Sequence, residues 1–479
     1  MLFTVRSVRG LALAATLLVT VTTFTHDAAV AAATPRAACG SGSHPETGMQ
    51  GRVTEADIES GYAADGIRCN AEMAGRFGAS GVTGGAGGYK VFRYVDTDGR
   101  ECAYYDSTLL FPLNAPKAAT DLPGVIVLDM SIPAAPVKTA NLVTPAMLSP
   151  HESLSLNEGR GLLAAVAGNP LQAPGIVDVY DVSQDCRAPV LMSSTPLGLI
   201  GHEGGFAPDG LTYWATSTGG NRVTAVDVAD PSLPSIAWTG EYNFHGINVS
   251  DLGTRLYAAD LGRDGLTILD VSQVQARATD PVVTEVSHIT WPTVSIPQVP
   301  IPVTIAGNPY LIEIDEFSTG LGSGSTNGIV GAARIIDIAD DTNPVVVSDL
   351  RLEVHDPANR AAIADDPGAA WFLGGYTGHY CGVPQREEPG IVACSFILSG
   401  VRVFDIRDPL APKEAAYFNA PIPKPSGLEF PGGSDSSLVP HVAYAMSAPA
   451  FAPERGELWY TDGSFGFFNV RLTNGAWQP

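Results

Sequence analysis

The chain has 479 residues, 45% hydrophobic and only 16% charged, with 27 Lys plus Arg against 50 Asp plus Glu. A net charge of −23 repels phosphate backbones, which excludes a nucleic-acid partner. The length admits three average domains or one large all-β architecture, and the 52 glycines and 37 prolines fall at joints rather than in low-complexity tracts.

Residues 1–33 have the layout of an export signal. Arg6 and Arg9 form a positive start, Leu11 to Val21 an apolar run, and Ala28 to Ala33 a small-residue cleavage region. The run is short for a membrane span, which needs about 20 residues. The expectation is an extracytoplasmic bacterial protein with no span after cleavage.

Residues 34–87 form an N-terminal extension. Within it, Thr54 to Tyr62 suits a short helix capped by Thr54 and Asp57. Gly78 to Gly88 reads as a loop, because no helix pattern follows to make a phosphate cradle. Tyr89 to Val95 and Glu101 to Tyr105 read as paired strands joined by a turn at Asp96-Thr97-Asp98-Gly99. A propeller ring must close, and these early strands are expected to complete its last blade, Velcro fashion, and so remove two bare edges.

From residue 88 onward one pattern recurs. The clearest copy spans Asn221 to Leu261, where four short strands (Arg222 to Val228, Ser235 to Tyr242, His245 to Val249, Leu256 to Ala259) are separated by Gly, Pro and Asp. Read as a unit, they form one small antiparallel sheet that needs like neighbours to cover its faces. An aliphatic strand ending in aspartate returns at Asp129, Asp181, Asp227, Asp270, Asp337 and Asp405, with Asn469 in a weaker seventh copy. Successive anchors lie 52, 46, 43, 67, 68 and 64 residues apart, the length of a four-stranded blade with or without an insertion. The fold expected is all-β, a seven-bladed β-propeller over residues 88–479. Each anchoring aspartate is expected to cap backbone donors in the turn that follows it.

The motifs VIVLDMSIPAAP and VFDIRDPLAP resemble those of the LVIVD-repeat family, exported bacterial β-propeller proteins. The resemblance implies the propeller and names no reaction. Two stretches interrupt the repeat: Trp291 to Asn327, with the proline run SIPQVPIPV and a Gly/Ser segment, and His355 to Gly378. Long connections of this kind are often functional.

Six cysteines, Cys39, Cys69, Cys102, Cys186, Cys381 and Cys394, suggest disulfides in an exported chain. Proximity favours Cys39–Cys69, which would tether the extension, and Cys381–Cys394, leaving Cys102–Cys186. Thiolate metal ligation is the alternative, without a C-x-x-C to support it.

Five of the nine histidines share one phase of the repeat. His151, His202, His245, His379 and His441 each open or precede the strand that begins a new blade, beside the central channel. The fifth blade has none near Pro300 to Pro302, and the first blade's equivalent falls near Cys102. Residues so placed converge on one axis despite separations of up to 290 positions. Imidazole is a common ligand of zinc, copper and iron, and Glu152 and Glu203, each following a histidine, could orient the rings or ligate as well. The arrangement is similar to that of carotenoid-cleaving oxygenases and selenium-binding-type methanethiol oxidases, although none of their sequence motifs occurs. Such a metal site should weaken below pH ~6.5, where imidazole protonates. The opposing reading is a histidine duplicated with the repeat that bonds the next blade's backbone and binds no metal.

Neither G-x-S-x-G nor H-E-x-x-H is present. Two functions therefore stay open. One is a binding or scaffold module whose channel mouth and inserted loops take a protein or small-molecule ligand and which needs no cofactor. The other is a metal-dependent enzyme, oxidative or hydrolytic, built on the axial histidines.

Overall fold

A computed structural model describes residues 32–78, 87–107, 124–168, 175–217, 220–319, 329–369, 374–424 and 442–477. The expected export signal lies almost wholly outside these residues, as does most of the Gly78 to Gly88 loop.

Seven antiparallel sheets stand as blades in a ring. In the first six, strands follow one another outward in chain order. Blade one runs Val91–Val95, Glu101–Asp106, Val125–Asp129 and Val137–Leu142. Blade four, equally regular, runs Phe244–Val249, Arg255–Asp260, Gly265–Asp270 and Thr284–Ile289. The second and third strands are mostly apolar and buried along almost their whole length, because each blade is covered on two sides, and the charges they bury, such as Arg334 with Glu313 and Asp315, are paired. A fully buried Val, Leu or Ile contributes about 1.5–3 kcal/mol, so the blade-to-blade faces dominate the stability.

The anchoring aspartates end the third strands, as expected. The Oδ1 atoms of Asp129, Asp181, Asp227, Asp270, Asp337 and Asp405 each accept the backbone N–H two residues on, at 2.8–3.1 Å. Asn469 is not the seventh anchor. The register places Arg471 at that position, paired with Glu457 and Glu72, while Asn469 lies two residues further in. Among the described residues no further strand follows Gly466–Leu472 in sequence, because its outer partner is the upstream strand Ala71–Phe77.

The unit read from Asn221 to Leu261 is out of phase with the blades. Its first two strands are the outer pair of blade three, and its last two are the inner pair of blade four. Sequence periodicity gives the repeat length but not where each sheet begins.

Ring closure comes from further upstream than Tyr89 to Val95. Those residues and Glu101–Asp106 are the inner strands of blade one. The closing strand is Ala71–Phe77, which pairs with Gly466–Leu472 as the outermost strand of blade seven. It reproduces the irregularity found between third and fourth strands in the other six blades, here between Met73 and Gly75. Ile67–Cys69 adds a fifth strand to blade six. The propeller therefore draws on residues inside the segment read as an extension. Upstream lies the short helix Glu55–Ser60, with Thr54 and Asp57 forming the reciprocal cap.

The proline run is a strand rather than an inserted loop. Ile296–Ile305 pairs with Asn308–Glu316 as the innermost, one-sided strand of blade five. Pro300 and Pro302 alternate along it, and a bulge at Gln298 brings Pro297 into the same phase. All three missing N–H groups can then face away from the partner strand, which is where a sheet tolerates proline. The second interruption holds the short turns Glu353–His355 and Pro357–Asn359 and the helix Arg360–Ile363.

The three disulfides are Cys39–Cys69, Cys102–Cys186 and Cys381–Cys394. No free cysteine remains. Among the described residues no helix is long and apolar enough to cross a membrane.

Candidate metal centre

The first strand of each blade starts at the channel, and residues just before or at these starts converge. The backbone holds them in place. Glu152 N–H donates to His202 C=O at 3.1 Å, His202 N–H to Thr216 C=O at 2.7 Å, and His379 N–H to Ser395 C=O at 3.0 Å. His151 is held at φ 53°, a left-handed conformation uncommon outside glycine.

Four of the five expected histidines meet on the axis; His441 lies outside the described residues. The rings of His151, His202 and His245 follow one another at centroid spacings of 4.3 and 4.7 Å, and Tyr89 stacks on His151 at 4.7 Å. Tyr89 and Lys90, not Cys102, are what blade one contributes. Cys102 sits on the second strand, in its disulfide.

Glu152 stands among the imidazoles rather than behind them. Its Oε2 lies 3.1 Å from His202 Nε2, 3.3 Å from His245 Nε2 and 3.8 Å from His151 Nδ1, and its Oε1 lies 3.4 Å from His379 Nε2. Glu316 joins from blade five, which lacks a histidine. Its carboxylate is 3.6 Å from His245 Nε2 and 3.3 Å from His379 Nε2. Glu316 enters the cluster because it ends a strand whose inner neighbour begins at the channel. Glu203 turns the other way, to Lys90 Nζ at 2.9 Å. Gly246 makes room for it, since a Cβ there would come 2.1 Å from Glu203 Oε2.

Two rings are oriented from outside. His245 Nδ1 donates to Pro297 C=O at 2.9 Å and His379 Nδ1 to Met446 C=O at 2.7 Å, in each case on the next blade. The repeat-consensus role is thus real for these two. It also directs both Nε2 atoms inward, as in protein metal sites. His202 and His245 face each other Nε2 to Nε2 at 2.8 Å.

Electrostatics tie the cluster together. Glu152 is fully buried, which alone would raise its pKa, yet contacts from His202, His245 and His379 hold it well below the carboxylate range. Burial disfavours the charged forms of His245 and His379, but the Glu316 and Glu152 carboxylates outweigh it and push both up to about 9. His151, desolvated and next to His202, is pushed down to about 3. Without a cation the cluster therefore holds Glu152 charged against two imidazolium rings, with His151 neutral and its Nδ1 lacking a hydrogen bond. His151, Glu152 and His202 form one group with donor atoms within 4.8 Å of one another, and Glu152, Glu316 and His379 form a second. Both share Glu152.

Compared by sequence, the chain matches no protein-family model and no curated protein. Solved structures similar to it include the β-propeller domain of Cps50 (Swd1) from Myceliophteria thermophila, at 11% identity, 84% of this chain, 98% of that one and a TM-score of 0.48. Hydrazine synthase of Kuenenia stuttgartiensis follows at 12% identity, 82% and 98% coverage and a TM-score of 0.45. A catalytically inactive virginiamycin B lyase from Staphylococcus aureus, solved with quinupristin, has 10% identity, 84% and 99% coverage and a TM-score of 0.45. At such identities none lends its activity to this chain.

Proposed function

We propose that this propeller holds one divalent transition metal on its axis and uses it in oxidative or hydrolytic catalysis. The observation that carries this is the convergence of the His202, His245 and His379 Nε2 atoms on the Glu152 and Glu316 carboxylates, with two of the rings oriented through Nδ1. Charge supports it. A divalent cation displacing the protons of His245 and His379 leaves the charge of this buried cluster unchanged.

Imidazole nitrogen with carboxylate oxygen, and every cysteine in a disulfide, suits zinc or iron(II) better than a thiolate-seeking ion. His202 and His245, which face each other Nε2 to Nε2 at 2.8 Å, would both offer these nitrogens to the ion. Bound there, the cation would supply Lewis acidity or an activated water or oxygen. The protein's own groups would orient the ligands and keep the site dry.

The repeat motifs support membership of the LVIVD-repeat family, and the three disulfides support an extracytoplasmic site of action. Elemental analysis of the natively exported protein tests the centre. About one transition metal per chain is expected, lost when His202 and His245 are both replaced by alanine with the far-UV spectrum intact. A protein that carries no metal and takes up neither Zn(II) nor Fe(II) would leave the histidines structural and the channel a plain binding site.

A further inference from the structure

Directly along the channel from the histidine cluster lies a cavity of about 470 Å³ that the metal centre does not use. Its floor is Lys90, Glu203 and Tyr380, each one residue past Tyr89, His202 and His379. Its walls include Leu154, Phe206, Ile247 and Val299, and its rim carries the exposed Glu158 and Asp251. The volume falls within the range of small-molecule pockets.

Apart from the exposed Glu158 of the rim, the charges that line it are already matched. Lys90 pairs with Glu203 at 2.9 Å, and Arg386 spans Asp251 Oδ1 at 2.8 Å and Asn248 Oδ1 at 3.0 Å. A second anion at the floor would meet Glu203, and a cation would meet Lys90. Among the described residues the buried Tyr380 hydroxyl makes no hydrogen bond, and one donor of Lys90 is left over as well. The Lys90 ammonium has three N–H groups, and among the described residues it bonds two acceptors, Glu203 Oε1 and Gly204 C=O at 3.4 Å. The Tyr380 ring centroid lies 5.6 Å from Lys90 Nζ, adding an aromatic face at the same depth.

We propose that this cavity is the ligand site of the propeller and takes an uncharged organic molecule with an apolar body and one carbonyl or hydroxyl oxygen, the oxygen accepting the spare N–H of Lys90. The inference rests on the axial channel being the functional site, not on the metal being present. If the centre is catalytic, this molecule is the substrate class and approaches from the cavity side.

The test uses the full exported protein and four matched probes: 4-phenylbutan-2-one, butylbenzene, 4-phenylbutanoate and 4-phenylbutylammonium, followed by ligand-observed NMR. The ketone should bind, with butylbenzene weaker by about tenfold or more because a charge-assisted hydrogen bond is lost, and with neither ion tighter than the ketone. Leu156→Trp, which narrows the cavity wall away from the histidines, should abolish the ketone signal, and exhaustive chelation should leave it in place. Equal binding of butylbenzene, tighter binding of either ion, binding by none of the four, persistence in Leu156→Trp, or loss on chelation would each overturn the proposal. A protein that binds the ketone but contains no metal and takes up neither Zn(II) nor Fe(II) would refute the proposed centre and leave the pocket standing.

Discussion

At the residue scale, the cluster stores two protons that a metal must displace. His245 and His379 have pKa values of about 9, against ~6.5 for an unperturbed imidazole. Metal affinity should therefore keep rising with pH up to about 9, beyond the ~6.5 that an isolated histidine implies. Near pH 7.5 each binding event should release up to two protons, measurable by titration calorimetry in buffers of different ionisation enthalpy. No net release would contradict the assignment of these two rings as ligands. The metal-free protein has its own profile. Groups with raised pKa stabilise the fold below ~6.5 and lose that contribution as pH climbs through 9. His151, lowered to about 3, acts oppositely: its contribution is present above ~6.5 and is lost as pH falls toward 3. Thermal scans of the metal-free protein should show greatest stability near pH 6.5, and added metal should erase the alkaline loss. The histidine phase was legible in the chain, because duplication repeats a residue at one point of each blade. Glu316 was not, since its place depends on which strand pairs with the channel strand of a blade that has no histidine.

At the element scale, one aspartate per blade ends the third strand and caps the turn that sends the chain outward. Asp227→Ala frees the exposed Ala229 N–H and removes a 3.8 Å contact with Arg277, so it should cost about 0.5–1.5 kcal/mol, read as a lower denaturation midpoint with unchanged slope. The closing strand is less forgiving. Gly75 lies against blade one, where a Cβ would come 2.1 Å from Pro133 C=O. Gly75→Val should therefore cost about 1–3 kcal/mol or more by overpacking, and the loss should appear as earlier unfolding on the closure side in hydrogen exchange. An unchanged exchange pattern would mean that blade one yields there. The proline run misled as a loop because proline is rare in strands; only its one-sided position beside the channel makes it acceptable.

At the scale of the whole molecule, the ring is closed by hydrogen bonds, and a disulfide fastens the closing segment. Residues 67–77 cover the outer edges of blades six and seven, and Cys39–Cys69 ties the segment before them. A chain starting at residue 78 would expose both edges and should aggregate rather than unfold reversibly. Replacing Cys39 and Cys69 by serine should be milder, a loss of roughly 2–4 kcal/mol in chemical denaturation. A truncated chain that stays monomeric and folded would show that the inner blades close the ring unaided.

What the amino-acid order determined by itself is the repeat: its length, its seven copies, the capping role of its aspartates, and the recurrence of histidine at one phase. These follow from local rules, since strand alternation, turn chemistry and duplication are written within some fifty residues. The order could not show where each sheet starts, because a four-strand window looks alike whether it lies within one blade or across two. The tertiary structure decided that, and with it the closing strand at Ala71–Phe77, the place of Tyr89 and Lys90, and the split of two similar glutamates. Glu152 goes to the imidazoles and Glu203 to Lys90, although each follows a histidine, because neighbouring blades offer each a different partner across the channel.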